Sequence, residues 1–164
     1  RAPLNMKDLV ILTDEANIGG GAAPKKLSKD KIHAVKKIIS DAKAQENPNF
    51  KLLIFADYDA SFDNLINTLN EFGLKHFTIK GTSNTISKNI ANYKSVDPHN
   101  PDKLDVLLLN SNHCGSGINL ENTTDIIFYH KMGDPMTKQV IGRAQRPGRT
   151  SPLNIWRLCY DNEI

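Results

Sequence analysis

The sequence is organised around QVIGRAQRPGR, residues 139–149. Just upstream, Asp134 and Pro135 form a helix-start signal, because Asp caps a first turn and Pro at the first helical position loses no needed N–H group. Pro-Gly at 147–148 is a signal that ends a helix. We therefore expect a helix from about Asp134 to about Arg146.

Three polar residues of this helix share one face. Gln139, Arg143 and Arg146 are spaced i, i+4 and i+7, so one amide and two guanidinium groups follow one another on adjacent turns. A solvated charged face is the ordinary alternative for such a stripe. The apolar residues of the helix turn towards the body of the domain: Val140, Ile141 and Ala144.

The use of arginine favours a specific role for this face. The chain has 16 Lys but only 5 Arg, and three of the Arg lie between 143 and 149. The guanidinium group is a rigid, permanently charged fork that matches phosphate oxygens, which the Lys ammonium cannot copy. The residues alone therefore predict a phosphate-binding helix.

Length and composition favour one globular domain. The chain has 164 residues, 39% of them hydrophobic, with a net charge of +3 and a pI near 8.8; this charge is compatible with nucleic acid but not diagnostic of it. The two cysteines, Cys114 and Cys159, are far apart, which predicts neither a disulfide framework nor a zinc site. No apolar run approaches the ~20 residues that span a membrane, and no signal peptide is visible, so we expect an intracellular protein. Because the first residue is Arg, we expect the chain to be a piece of a longer protein.

Apolar runs and helical periodicity alternate from residue 29 onwards. Continuous apolar runs predict strands covered on both faces, and apolar positions at helical spacing predict helices between them. This alternation implies right-handed βαβ units and a parallel sheet, with ligands beyond the carboxyl ends of the strands. Strands are expected at 51–56, 76–79, 104–109, 125–129 and 154–158, and helices at 29–45, 62–72, around 86–93 and at 134–146.

Residues 1–28 are a poorly patterned lead-in, which we expect to be a linker. The Gly-rich residues 19–24 indicate flexibility, and LVIL at 9–12 could form a short strand. RAPL at the start resembles the segment that follows the last cysteine pair of a RING finger, although no ligand cysteine is present. That resemblance implies a RING finger just upstream.

The pattern Q-x-x-G-R-x-x-R-x-G-R at 139–149 resembles motif VI, the arginine-finger motif of superfamily 2 helicases and translocases. The following run, SPLNIWRL, resembles the strand after motif VI in the Snf2 branch. The resemblance implies that Arg143 and Arg146 are catalytic arginine fingers, and that both bind ATP together with Gln139. Arg149 departs from the Snf2 branch, which usually has Gln there, and matches other members of superfamily 2.

A second block, VLLLNSNHCGSGINL at 106–120, resembles motif V of the Snf2 branch. The match implies that Ser111 contacts a nucleic-acid phosphate and that Gly117 and Asn119 approach the nucleotide ribose. Residues 112–114, Asn-His-Cys, depart from the family's usual Arg/Lys-Ala-Gly. The departure leaves the shape of this loop and its nucleic-acid contact open.

Two less specific blocks complete the series. KLLIFADY at 51–58 resembles motif IV, although a buried strand explains it as well. FTIKGTS at 77–83 resembles the next block, whose Gly-Ser/Thr turn meets a nucleic-acid backbone, and this implies contacts from Gly81, Thr82 and Ser83. Gly allows a close approach, and hydroxyl and N–H groups at a helix start bind phosphate. From the residues alone, a helix cap is the better interpretation of this turn.

Taken in order along the chain, these blocks resemble the second RecA-like lobe of a Snf2-like translocase or helicase. The resemblance predicts a three-layer α/β fold with a mostly parallel sheet at 29–164. It implies ATP as the cofactor, with Mg²⁺ and the phosphate loop on a first lobe, since neither G-x-x-x-x-G-K-[ST] nor a D-E-x-H box occurs here. The fragment alone would then be an inactive monomer with no metal site of its own.

The expected partners are DNA and the first lobe of the same protein, with RNA possible and no membrane. The expected setting is the nucleus or a viral or cytoplasmic compartment. Two alternatives stay open: the lobe of an RNA helicase of the same superfamily, and a non-catalytic scaffold of a RING-type ubiquitin ligase.

Overall fold

The computed structural model describes residues 4–8, 31–56, 59–110, 118–130, 133–145 and 153–158, of which 4–8, 59–60 and 134 by their backbone only. Four helices and six strands lie in this part of the chain. In order they are β1 (Leu4–Asp8), α1 (Lys31–Ala44), β2 (Leu52–Phe55), α2 (Asp59–Glu71), β3 (His76–Thr78), α3 (Ser83–Lys94), β4 (Val106–Leu109), β5 (Asp125–Phe128), α4 (Asp134–Ala144) and β6 (Leu153–Arg157).

The strands form one sheet in the order β1-β6-β5-β2-β4-β3, and every neighbouring pair is parallel. Strand β2 is central, because Leu52 is opposite Val106 of β4 on one side and Asp125 of β5 on the other. The predicted parallel sheet is therefore confirmed.

Strands β2, β4 and β5 are buried on both faces, which their apolar sequences require. Along β2, Leu52 and Ile54 face one core and Leu53 and Phe55 face the other, as the two-residue period of a strand dictates. The first core is covered by α1 and α2, and the second by α3 and α4. The result is the predicted three-layer arrangement, helices–sheet–helices.

The positions of α2 and α3 on opposite faces follow from the handedness of parallel crossovers. From β2 to β3 the chain moves outwards to the edge of the sheet, and from β3 to β4 it moves back. Since both crossovers must be right-handed, reversing the direction moves the connecting helix to the other face.

Helix α2 ends at Glu71, one residue before the predicted end at 72, and a glycine follows two residues later. Gly73 has φ of +68°, which a side chain would oppose. The N–H of Leu74 bonds the carbonyl of Leu69 and the N–H of Gly73 bonds that of Asn70, both at 3.0 Å. This is the Schellman pattern, and it buries Leu74 against the α1–α2 core.

Helix α4 begins where the sequence predicts but ends earlier. Its N-cap is Gly133, so the predicted cap by Asp134 is wrong by one residue. The helix ends at Ala144, and Gln145 has an extended ψ of 92°. Arg146 lies outside the described residues, so its predicted place on the face with Gln139 and Arg143 stays a prediction.

Strand β1 lies inside the lead-in, where the sequence analysis expects a linker. It pairs with β6 from Leu4 opposite Leu153 to Asp8 opposite Arg157. The strand expected at 9–12 lies outside the described residues. Among the residues that are described, no helix is both long and apolar enough to cross a membrane.

Candidate functional site

The first candidate surface is the amino end of α3. The turn before it needs glycine, because Gly81 has φ of +104°, whereas a Cβ there would meet only ordinary contacts. Thr82 is the N-cap: its Oγ1 accepts from the N–H of Thr85 at 3.2 Å and donates to Thr85 Oγ1 at 3.0 Å. All residues from 80 to 85 are exposed.

This end of α3 has the electrostatic character of an anion site. The first N–H groups of a helix lack a carbonyl one turn earlier, so those of Ser83 and Asn84 remain available to a ligand. The helix sequence SNTISKNIANYK contains no Asp or Glu. Lys80 and Lys88 are exposed beside the turn. A phosphate is the ligand that such a surface fits.

Strand β4, which precedes Ser111 in the chain, ends beside this turn. Thr78 of β3 is opposite Leu108 of β4, and the two strands are parallel. Their carboxyl ends therefore lie at the same edge, where 79–83 and the segment after Asn110 both begin. Three predicted site residues themselves lie outside the described part of the chain: Ser111, Gly117 and Arg146.

The second candidate surface is the outer face of α4. Val140 and Ala144 are fully buried, Gln139 is exposed and Arg143 is half-buried. The predicted division into an apolar face and a polar face is therefore correct for these residues. It leaves the amide and one guanidinium group four residues apart on the solvent side.

Residues 118–120 bring the predicted ribose-binding residue to this surface. Leu120 is buried, and its N–H donates to the carbonyl of Arg143 at 2.8 Å. The preceding residue, Asn119, is exposed, and its Nδ2 donates to Glu121 Oε2 at 3.1 Å. One backbone hydrogen bond thus joins the end of the motif V block to the last turn of α4.

The two surfaces lie at opposite ends of the α3–α4 layer. Helix α3 begins at the carboxyl edge of the sheet, and in its last turn the hydroxyl of Tyr93 is 2.8 Å from Thr123 Oγ1, just before β5 starts. The end of α4 lies near the same segment through Leu120. The expectation of ligands beyond the carboxyl ends therefore fits Thr82 and Ser83, whereas Arg143 lies towards the other edge.

A buried polar network holds the amino ends of the strands, and sequence reasoning missed it. Asp125 accepts hydrogen bonds from Asn154 Nδ2 at 3.3 Å and Trp156 Nε1 at 3.1 Å, which ties β5 to β6. The ammonium group of Lys51 donates to the carbonyl of Leu104 and lies 5.5 Å from the centroid of the Tyr93 ring. Burial lowers the pKa of Lys51, and the neighbouring Asp105 opposes part of that shift. The available signal was a charged residue at the start of two apolar runs, Lys51 and Asp125.

The described residues fit part of a nucleotide site. Asn119 and Gln139 offer amides and Arg143 offers a guanidinium group, which suit ribose hydroxyls and phosphate oxygens. In the described ranges no group of three His, Cys, Asp or Glu residues could hold a metal ion. A magnesium ion would therefore need ligands from elsewhere.

This three-layer fold, with helices on both faces of a parallel sheet, is that of RecA-like lobes. The chain belongs to the helicase family described as helicase conserved C-terminal domain, which matches residues 30–150.

Relatives of known name agree with this assignment. R592 of Acanthamoeba polyphaga mimivirus, which is named as a helicase, is 34% identical over 135 residues, 82% of this chain and 15% of its own length. Helicase swr1 of Aspergillus fumigatus is 30% identical over 82% of this chain and 8% of its own length. ATP-dependent helicase fft1 of Schizosaccharomyces pombe is 30% identical over 79% of this chain and 14% of its own length. The chain thus spans less than a sixth of these three relatives.

Two crystal structures share the fold. The C-terminal part of the Fun30 ATPase domain has a TM-score of 0.64 and 25% identity, and the match covers 80% of this chain and 41% of that one. The Pyrococcus furiosus Hef helicase domain has a TM-score of 0.60 and 20% identity, over 90% and 27% of the two chains. The predicted RecA-like fold and the predicted Snf2-like second lobe are confirmed.

Proposed function

We propose that this chain is the second motor lobe of an ATP-dependent DNA translocase or helicase. In this proposal, a first lobe holds ATP and Mg²⁺, and this lobe supplies Arg143 and Arg146 as arginine fingers. The hydrogen bond from Leu120 to Arg143 carries the proposal, because it joins the end of the motif V block, next to Asn119, to the last turn of the arginine helix. The names of the relatives support ATP use, and their viral and fungal origins suit a setting inside a cell.

The arginine helix suits the stabilisation of a phosphoryl-transfer transition state. Val140 and Ala144 fix one side of α4 in the core, so the opposite side is held at a defined position. An arginine finger stabilises the charge that develops on the transferred phosphoryl group, and it is worth roughly 10³–10⁵ in rate. Asn119 and Gln139 would orient the nucleotide, and Gly117 would allow close approach of its ribose.

The basic turn suits contact with the backbone of one nucleic-acid strand. Ser83 would donate through its hydroxyl and N–H groups, and Gly81 would let the backbone approach. Thr82 contributes by fixing the turn, since its hydroxyl already bonds Thr85. Ser111 would add a further hydroxyl from the neighbouring strand end. Opening and closing of the two lobes would then move these contacts along the strand.

The proposal is tested with Arg143→Lys in the protein that joins this chain to its first lobe. Lysine keeps the charge and loses the fork, so ATP turnover should fall by at least about 10²-fold while ATP affinity changes little. The matched control is Lys138→Ala, which removes an exposed charge from the same helix. Turnover, nucleotide binding and thermal melting are measured together.

Two results would contradict this role. Near-normal turnover in Arg143→Lys would exclude a finger, and a melting temperature many degrees lower would make Arg143 a packing residue. Stimulation of turnover by RNA but not DNA would favour the RNA-helicase alternative, and absence of any turnover would favour the ubiquitin-ligase scaffold.

A further inference from the structure

Helix α3 is most deeply buried at its carboxyl end. Its one buried residue is Tyr93, in the last turn, and Ile86 and Ile90 are half-buried along the same face. In the first turn, residues 83–85 are exposed and only Ile86 contacts the core. The fully buried contact of this helix is therefore at its carboxyl end, at Tyr93.

That carboxyl end is held by two side chains of the turn at 120–123. The Tyr93 hydroxyl is 2.8 Å from Thr123 Oγ1, and neither residue has any exposed surface. Asn122 Nδ2 donates to the Tyr93 carbonyl at 2.9 Å. The turn is closed by the N–H of Thr123, which bonds the Leu120 carbonyl at 3.0 Å. We call residues 120–123 the bracing turn.

The other end of the bracing turn holds the arginine helix. Leu120 donates its N–H to the carbonyl of Arg143, and its side chain lies in the same core as Val140 and Ala144. The bracing turn is thus hydrogen-bonded to α3 on one side and to α4 on the other. It contains none of the residues assigned to nucleotide or nucleic acid.

We infer that the bracing turn couples nucleic-acid binding at the start of α3 to the position of Arg143, with Tyr93, Asn122 and Thr123 as positioning residues. The inference rests on the proposed function, because it needs both ligands. A helix moves as a rigid body, so a displacement at Ser83 reaches Tyr93 at the far end. Because Tyr93 and Thr123 are fully buried, their hydrogen bond acts in a low dielectric and is stronger than an exposed one.

Coupling of this kind has a thermodynamic signature that a merely structural role of these residues would not produce. If DNA tightens the binding of a nucleotide by some factor, the nucleotide must tighten the binding of DNA by the same factor. Removing the brace should reduce both factors together and leave each ligand's affinity alone unchanged. Simple loss of stability would not do this.

The experiment measures that factor in the two-lobe protein. DNA affinity is determined with and without a non-hydrolysable ATP analogue, for wild type, Tyr93→Phe, Asn122→Ala and Thr123→Val. We expect each variant to lower the coupling factor about threefold or more, with affinities for either ligand alone within about twofold of wild type. Thr123→Ser keeps the hydroxyl and should retain the wild-type factor.

Asn89→Ala is the matched control. Asn89 Nδ2 also donates to a backbone carbonyl at 2.9 Å, but that carbonyl is Thr85 of the same helix, so no contact with the bracing turn is lost. An unchanged coupling factor in the three variants would overturn the inference. The inference would also be overturned if the variants only weakened DNA binding and kept the wild-type coupling factor. Equal losses of basal and DNA-stimulated turnover would overturn it as well. Failure of the proposed function is separate, since wild type itself would then show no DNA-stimulated turnover.

Discussion

Thr82 illustrates at the scale of one residue how a cap and a ligand compete for the same group. Its hydroxyl accepts from the Thr85 N–H and donates to Thr85 Oγ1, so both of its functions as donor and acceptor are used inside α3. Ser83, one position later, is exposed and has no such role in capping. The two hydroxyls should therefore respond differently to removal.

We predict that Thr82→Ala lowers the free energy of unfolding by about 1 kcal/mol, the usual cost of losing an N-cap, and that Thr82→Ser does not. Ser83→Ala should stay within about ±0.5 kcal/mol of wild type and should weaken DNA binding instead. Urea unfolding and DNA titration of the same three variants separate the two effects. The opposite order, with Ser83→Ala the unstable variant, would show that the cap is misassigned.

Protonation of His76 makes the free energy of unfolding depend on pH. Burial lowers the pKa of His76 below its ordinary 6.5, and its Nε2 is 3.1 Å from Asn70 Oδ1. Between the folded and unfolded pKa values the unfolded chain binds more protons, so stability falls as the pH falls. The stability that the neutral His76 ring contributes is fully present above pH 6.5, the unfolded pKa. It is lost as the pH falls through the lower pKa of the folded state.

We expect His76→Gln to flatten this part of the stability curve. The measurement is urea unfolding of both proteins from pH 7.5 down to 5, beside an NMR titration of the imidazole. The same loss of stability on acidification in both proteins would exclude His76 as its source, and so would an imidazole midpoint at or above 6.5.

Local sequence could predict the cap and glycine at 81–82, because a turn and its helix are built from neighbouring residues. It could not predict the hydrogen bonds of Asp125, whose donors Asn154 and Trp156 come from a strand later in the chain. Nor could it show that the Leu120 N–H bonds the carbonyl of Arg143, because the two residues are far apart in the chain. These groups become neighbours only when the sheet has formed.

Two glycines near helix ends show at the scale of the element why position matters. Gly142 lies inside α4 with no left-handed φ, and a Cβ there would meet nothing within 4 Å. Gly73 also has room for a Cβ, but its φ is +68°. The space is the same in both places and only the backbone conformation differs.

We predict opposite effects of alanine at these two positions. Gly142→Ala should stabilise the chain by about 0.5–1 kcal/mol, because alanine loses less entropy in a helix. Gly73→Ala should destabilise it by roughly 1–2 kcal/mol, the cost of a left-handed L-residue. Chemical denaturation of each variant is the measurement. Destabilisation by Gly142→Ala would mean that α4 is packed more tightly than its contacts indicate.

Elements with strong periodicity were predictable, and those defined by distant partners were not. The central strands β2 and β4 were predictable because their sequences, LLIF and VLLL, are wholly apolar. LNMKD of β1 has no such signal, and it becomes a strand through its pairing with β6. The predicted end of α4, about Arg146, came from the Pro-Gly signal at 147–148, whereas the helix already ends at Ala144 and Gln145 has extended angles.

At the scale of the whole molecule, we predict that this chain alone is a folded monomer that does not hydrolyse ATP. Its sequence lacks a G-x-x-x-x-G-K-[ST] loop, and its described residues contain no candidate metal cluster. Phosphate release should therefore stay at background with or without DNA. Sedimentation and a cooperative melting curve check the folded state. DNA-stimulated turnover that survives purification controls would contradict the proposal that this lobe supplies only part of the ATP site.

The strand order also governs how the chain can be made. Strand β2 lies between β4 and β5, so neither neighbour exists when β2 leaves the ribosome. Its apolar sequence, LLIF, cannot pair with β4 until the ribosome has synthesised the chain as far as Leu109. It cannot pair with β5 until the chain reaches Phe128. Short uncharged segments of this kind pair readily with copies of themselves while they are exposed. Slow synthesis between β2 and β5 would lengthen that exposure, and the helix α1, made just before β2, is the first element able to cover one of its faces.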